Sequence, residues 1–336
     1  MSKIFLISNL FKFLFLFFYI FVIGEIGIRT ISYFVDIYDI EMLKYAKKLK
    51  KSSNNPNLSH EHISNSQSKL MGVNIILNSL GHRNDELSIK KNINEYRIHI
   101  IGSSITLGWG VKKENTFSSI LEKDLNLNVN VKEKYNSIFV INAGIGNTNT
   151  QHHFQLFKNQ FNLTKPDTII LQYFINDAEI IKKKKNNLIL KHSYFAAFMY
   201  QQIRSYLFHG SLDDYYVKLY DKNSQSWIIA KKSIKNLKNL CNKNNINFII
   251  LFIPDLHNFS ENNKLINLYS KINNEFTRMN IPVINTYDSL SKTFKSNPRD
   301  SWVSKKDPHP NSKAHEIIGK DLYNFFIKQK IFYDSS

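Results

Sequence analysis

An α/β fold built on a parallel sheet is what this 336-residue sequence predicts. Three observations carry that expectation. Strand-like runs recur at residues 96–101, 138–143 and 168–174; helix-like stretches separate them; and each run ends in a polar turn bearing glycine or asparagine. Strand and helix alternation of this kind favours parallel strands joined by right-handed crossovers, which places all three turns on one edge of the sheet. Open α/β sheets hold their ligands at that edge.

In chain order, residues 4–28 are apolar apart from Ser8, Asn9, Lys12 and Glu25, with an uninterrupted core at 13–24. Such a stretch crosses a bilayer as a helix if Lys12 snorkels to the headgroups. The core also has the length of a signal peptide's apolar region, yet no small-x-small cleavage pattern comes after it. Residues 1–30 are therefore expected to be an uncleaved, single-pass membrane anchor. Counted literally, the basic residues Arg29, Lys44, Lys47 and Lys48 after the span outweigh Lys3 and Lys12 and lean against export of the C-terminal domain, although lysine is abundant everywhere. Residues 32–51 read as an amphipathic juxtamembrane helix and 52–68 as a polar linker without periodicity, so residues 31–68 separate the anchor from a domain over 69–330. Near that domain's start, Arg83 ends a turn and could dock on the core or reach a site's rim; surface packing is the simpler expectation.

The first strand, 96–101, runs into Gly102, Ser103, Ser104, Ile105, Thr106, Leu107, Gly108, Trp109, Gly110 and Val111, ahead of a helix over 114–126. A glycine-spaced, hydroxyl-bearing turn at a sheet edge lets a ligand approach closely, and Ser104 is the candidate nucleophile. The second strand ends in Gly144 to Thr150, the third in Ile175, Asn176, Asp177, Ala178 and Glu179. Residues 182–225 interrupt the alternation with a basic run, Lys182 to Lys185, read as a solvated loop, and an aromatic-rich segment. That insertion is either a lid lining an acyl or glycan pocket or a helical pair packed on the core. Alternation then resumes: a helix over 226–244, strand 246–253, helix 261–280, strand 282–285, the motif 304–311 and a closing helix 312–328.

Serine attacks well only when a base removes its proton, and imidazole is the usual base. His309, stiffened by Pro308 and Pro310 just ahead of a helix, is the best of eleven histidines, with Asp307 placed to hold its other ring proton. The other ten, His60, His62, His82, His99, His152, His153, His192, His209, His257 and His315, are read as surface or core residues. Acyl transfer further requires hydrogen-bond donors for an oxyanion. The three turns offer the Ser104 amide, an amide at Gly146 or Asn147, and the Asn176 side chain. No cofactor is implied. A single cysteine, Cys241, read as an inert buried thiol, and the lack of His-x-x-x-His spacing argue against a zinc centre. The net charge of +18 comes from 39 Lys and only 6 Arg, scattered among Asn, Ile and Phe, which reflects compositional bias more than nucleic-acid recognition.

The stretch from Gly102 to Val111 resembles the Gly-Asp-Ser-x-Thr-x-Gly signature of SGNH hydrolases, also called GDSL-type esterases and lipases. Asn142 to Asn147 resembles that family's second block, Phe174 to Asp177 its Gly-x-Asn-Asp block, and Asp307 to Asn311 its C-terminal Asp/His block, all in the family's order. The resemblance implies a flavodoxin-like three-layer α/β/α sandwich and hydrolysis or transfer of ester-linked acyl groups. It carries the nucleophile onto Ser104, the base onto His309, and the oxyanion donors onto Ser104, the Gly146/Asn147 turn and Asn176. Membrane-tethered members commonly act on acyl groups of cell-envelope glycans, which implies an extracytoplasmic, periplasmic domain acting on an acylated glycan or lipid. Three departures stand out. Ser103 replaces the signature's Asp, Asn147 replaces the second block's glycine, and Lys306 stands where the family's acid usually lies, leaving either Asp307 or a backbone carbonyl to orient His309.

Overall fold

The computed structural model describes residues 2–181, 187–207, 210–329 and 331–332, and only the backbone of 2–8. The Lys182 to Lys185 run and His209 lie outside the described residues. Helix α1 (Ser2–Phe34) leads to α2 (Tyr38–Lys48), then to the strand pairs β1 (Lys50–Ser52) with β2 (His60–His62) and β3 (Gln67–Leu70) with β4 (Val73–Ile76). The central strand β5 (Glu95–Gly102) enters the four-residue helix α3 (Ser104–Leu107), followed by α4 (Phe117–Leu127), α5 (Val129–Lys134) and β6 (Ser137–Gly144). Next come α6 (Thr150–Thr164), β7 (Thr168–Tyr173), a 3-10 turn (Ile175–Ala178), and the helices α7 (Leu188–His192), α8 (Tyr194–Tyr206), α9 (Leu212–Leu219) and α10 (Gln225–Lys243). The chain closes with β8 (Asn247–Phe252), α11 (Ile266–Arg278), β9 (Val283–Asn285), α12 (Tyr287–Phe294), β10 (Trp302–Ser304), β11 (Asp307–Pro310) and α13 (Ser312–Lys328).

Five parallel strands pair in the order β6-β5-β7-β8-β9, the flavodoxin-like order expected of the sandwich. Every residue of β5 and β7 is buried; β7 reads as a mostly apolar run, whereas β5 also buries Glu95, Arg97 and His99, the Arg97 guanidinium donating to Glu95 and to the carbonyls of Thr164 and Ser88. Alternation within β5 sends Ile98 and Ile100 to one face, against α4, α12 and α13, and Ile101 to the other, against α6, α10 and α11. Each layer covers one face, and the loops at the strands' carboxyl ends meet where the order reverses beside β5. Cys241 is buried on α10, as expected.

Three local expectations need correction. Residues 52–68 are not an unstructured linker: β1, β2 and β3 are too short to show a period, and their anchoring comes from isolated buried residues such as Leu49, Leu58 and Leu70. The expected helix 32–51 is broken at 35–37 into the end of α1 and α2. Arg83 does not pack at the surface. Its side chain is 2% exposed, and its guanidinium donates to the carbonyls of Leu107, Gly108, Val111 and Asn74 at 2.8 to 3.1 Å. A planar fork with several donors suits a loop whose carbonyls converge and have no helix partner.

In the aromatic insertion, α8 packs along α1 and α2, while Leu212 and Tyr216 of α9 reach the pocket at the strands' carboxyl ends. Residues 9–34 of α1 form a helix long and apolar enough to cross a membrane, with mean hydropathy 2.1.

Candidate active site

Strand β5 delivers Ser103 and Ser104 to the sheet edge. Ser103 is the N-cap of α3 and Ser104 its first residue, so the Ser104 N–H has no partner within the helix. The turn is held from the neighbouring strand: Gln172 Oε1 of β7 accepts the Ser103 N–H at 3.1 Å, the Thr106 hydroxyl at 3.1 Å and the Ser103 hydroxyl at 3.3 Å. Ser103 thus makes a structural bond, and Ser104 is left to the pocket. From β6, Asn142 Nδ2 donates to the Thr106 carbonyl at 2.7 Å. Two glycines are required here. Gly108 ends α3 at φ 75°, in the left-handed region, and a Cβ on Gly144 would lie 2.2 Å from the Leu107 nitrogen.

Residues 302–310 fold back as the antiparallel pair β10 and β11 and bring His309 over the turn. The Ser104 hydroxyl lies 2.8 Å from His309 Nε2, and His309 Nδ1 lies 2.5 Å from Asp307 Oδ1. A carboxylate only accepts, so Nδ1 carries the ring proton and Nε2 accepts from the serine. Asp307 has no exposed surface; it also accepts the His309 N–H at 3.1 Å and, through Oδ2, the Trp109 indole N–H at 3.0 Å. The ring of Tyr38 on α2 lies tilted beside that of His309, centroids 6.2 Å apart, and its phenol is pushed up from the usual value by burial and by the Asp307 carboxylate.

The expected donors divide. Asn147, at φ 60°, and Asn176, in the 3-10 turn after β7, line the same pocket as Ser104 and His309. Gly146 does not join them, which corrects the expectation for that residue: its N–H is donated to the Tyr45 hydroxyl at 2.8 Å, and its carbonyl accepts from Lys50 Nζ at 3.2 Å and sits 3.1 Å from His60 Nε2. Behind it, His62 Nδ1 faces the Gly81 carbonyl at 2.8 Å, so Nε2 accepts the Tyr45 hydroxyl proton at 2.7 Å. Asp177, next to Asn176, is buried and turned inward. Burial holds its carboxyl well above the usual range, and Oδ2 accepts the Phe174 N–H at 2.8 Å.

The pocket encloses about 400 Å³. Ile105, Phe174, Ile181, Leu212 and Leu256 supply apolar wall, while Glu179, Asp255 and His257 add polar groups. His257 Nδ1 lies 2.9 Å from Asp255 Oδ1, and that bond raises the imidazole's pKa. Of the ten histidines read as surface or core residues, His62, His82, His99, His152, His153 and His315 are buried, and His257 reaches the pocket. Sequence reasoning missed Gln172, Trp109, Tyr38, Tyr45 and the Asp255 and His257 pair. Gln172 had a signal, as a polar residue inside a strand buried on both faces. Among the described residues no group of three or more His, Cys, Asp or Glu is placed to hold a metal ion.

Residues 98–322 match the family model described as GDSL-like Lipase/Acylhydrolase. A search of curated protein sequences finds no match. Among solved structures, the chain is similar to a lipolytic protein of the G-D-S-L family from Desulfitobacterium hafniense, at 16% identity, TM-score 0.43, covering 68% of this chain and 98% of that one. It is similar to an acetyl xylan esterase at 18% identity and TM-score 0.41, over 68% and 98% of the two chains. A two-domain esterase active on acetylated mannans matches at 14% identity and TM-score 0.44, over 72% of this chain and 51% of that one.

Proposed function

This chain belongs to the GDSL-like lipase/acylhydrolase family, and from that premise we propose that it is a membrane-anchored serine esterase or O-acyltransferase acting on ester-linked acyl groups, acetyl groups of a cell-envelope glycan foremost. The observation that supports this most is the continuous hydrogen-bonded line from Ser104 Oγ through His309 to the buried Asp307. Ser104 Oγ attacks the ester carbonyl carbon while His309 Nε2 takes its proton. The Ser104 N–H, the Asn147 amide and the Asn176 side chain receive the charge on the carbonyl oxygen. His309 then hands the proton to the departing alcohol oxygen, leaving acyl-Ser104. Water, or an acceptor hydroxyl, attacks in turn, gives its proton to His309 and restores the serine. Asp307 holds the ring tautomer and stabilises the imidazolium without accepting its proton.

The pocket's composition supports a small acyl group on a polyhydroxylated carrier: short apolar wall at Ile105 and Leu256, with Glu179, Asp255 and His257 available for hydroxyls. Residues 1–30 serve as anchor and 69–330 as the hydrolase domain, on the extracytoplasmic side of the membrane. The exposed Leu212 beside the pocket favours a second reading, a lipase with a longer acyl chain. A fluorophosphonate probe is expected to label Ser104, and Ser104→Ala to abolish both labelling and hydrolysis of p-nitrophenyl acetate. Full turnover in Ser104→Ala refutes the proposal, and faster turnover of long-chain than of acetyl esters selects the lipase reading.

A further inference from the structure

Glu25 is an acidic residue inside the apolar span of α1, and its surroundings reveal a role for the insertion. Its carboxylate accepts the Ser193 hydroxyl at 2.7 Å and the backbone N–H groups of Tyr194 at 3.1 Å and Phe195 at 2.8 Å, closing the N-terminus of α8, where a helix favours an anion. One turn on, Arg29 donates to Glu25 at 2.7 Å and to the His192 carbonyl at 2.9 Å, and lies 4.4 Å over the Tyr194 ring. The Phe21 and Phe195 rings meet edge-on at 5.7 Å, and a Cβ on Gly24 would come within 2.6 Å of Phe195. Further along, Gln202 reaches Asp39 at 3.3 Å, just past the end of α1. Helix α8 therefore runs beside α1 from the level of residues 21–25 to beyond its end.

That level is informative. The 26-residue span 9–34 is about 39 Å long at 1.5 Å per residue, against roughly 30 Å of hydrocarbon core. About 20 residues fill that core, so one begun at residue 9 ends near residue 29: the last turns of α1 and the part of α8 that runs past them fall at a membrane interface, with the Glu25 clasp about one turn inside it. The outward surface there is apolar and aromatic, with Leu188, Ile189, Tyr200, Ile203, Tyr206 and Leu207 all exposed, and the exposed Lys191 and Arg204 flank it. Apolar and aromatic side chains bordered by cations are what a helix lying in the headgroup region requires.

We propose that residues 187–207 form a second membrane contact, an interfacial helical segment seated on the phospholipid bilayer beside the end of the anchor. The proposal rests on the reading of α1 as a retained anchor, and it gives Glu25 a purpose as the clasp between the two elements. Because α2 contacts α8 and carries Tyr38 and Met42 into the catalytic pocket, this seat also orients the pocket relative to the bilayer.

The test uses the full-length chain in vesicles of phosphatidylcholine and phosphatidylglycerol. Cys241 is buried, so a thiol introduced by Ile203→Cys, Leu16→Cys or Ile93→Cys takes a polarity-sensitive fluorophore selectively. Leu16 lies in the span, and Ile93 is exposed just before β5, at the end of the sheet away from the pocket. Nitroxide-labelled phospholipids are expected to quench the labels at 16 and 203 at least about twofold and to leave that at 93 unchanged. Quenching at 16 without quenching at 203 overturns the interfacial segment while the anchor stands. Absence of quenching at 16 overturns the anchor reading and the proposal with it.

Discussion

Tyr45→Phe isolates one hydroxyl on which the oxyanion side of the pocket leans. The ring keeps its packing against Trp109 and His62, at 5.6 and 5.8 Å between centroids, so only the oxygen is lost. That loss strands two groups in a fully buried setting: the Gly146 N–H loses its acceptor and His62 Nε2 its donor. Each unsatisfied buried group costs about 1–3 kcal/mol, so the variant, with two of them, is expected to be less stable by about 2–6 kcal/mol. Catalysis should fall as well, because Gly146 precedes Asn147, whose amide is the proposed oxyanion donor. Deleting such a donor costs about 100- to 1000-fold, and loosening its peptide should cost about 10- to 100-fold in kcat, with KM little changed. Initial rates on p-nitrophenyl acetate, beside thermal melts of the same samples, read both effects. A lowered Tm with unaltered kcat would refute the argument, since Tyr45 would then be a prop with no bearing on the Asn147 amide.

Asn147→Gly keeps the backbone N–H and suits φ 60°, so kcat should stay within about threefold of the parent; a drop of about 100-fold would move the donor role to the Asn147 side chain. Arg83→Lys exchanges a fork that serves four carbonyls for a single ammonium, and a fall in Tm on the order of 10 °C is expected by scanning calorimetry; an unchanged Tm would mean that water satisfies those carbonyls. Acid should unfold the protein early. Burial lowers His62, His153 and His315 to about 3 and His82 and His152 to about 4, so below about pH 6.5 the unfolded chain binds protons that the folded one refuses. Stability is then fully present above that pH and declines by up to about 1.4 kcal/mol per pH unit for each histidine as pH falls; the raised carboxyl of Asp177 acts in the opposite direction. Circular dichroism should find a midpoint at roughly pH 5, and a midpoint below pH 4 would contradict the neutral-core account.

What could be read from the residues was whatever repeats or is spelled locally. β6 and β7 announce themselves because burial on both faces demands apolar residues, β5 through the glycine-bearing turn that ends it, and Ser104, His309 and Asp307 stand in short motifs at strand ends. What escaped reading depends on contacts distant in sequence. Arg83 sits in a polar turn whose burial is set by a loop some twenty-five residues later, and Tyr45 meets Gly146 across 101 residues. The hairpin of β1 and β2 has three residues on each side, too few for alternation to register. The turn's residue types leave Gly146 and Asn147 equally open as the donor; only Tyr45, on another element, turns the Gly146 amide away.

Tyr38 stands four residues beyond Phe34, the last residue of α1, and touches the His309 ring. A chain spans at most about 3.5 Å per residue, so this tether is no longer than about 14 Å. With α1 in a bilayer, Ser104, as the proposed nucleophile, has a working radius set by that leash. On the proposed function, it reaches only esters that pass close to the membrane surface, and material already moved outward lies beyond it. Timing follows from distance: such an enzyme would modify its substrate during arrival at the membrane, before release, and lengthening residues 35–37 would change which molecules are modified without altering the chemistry performed on them.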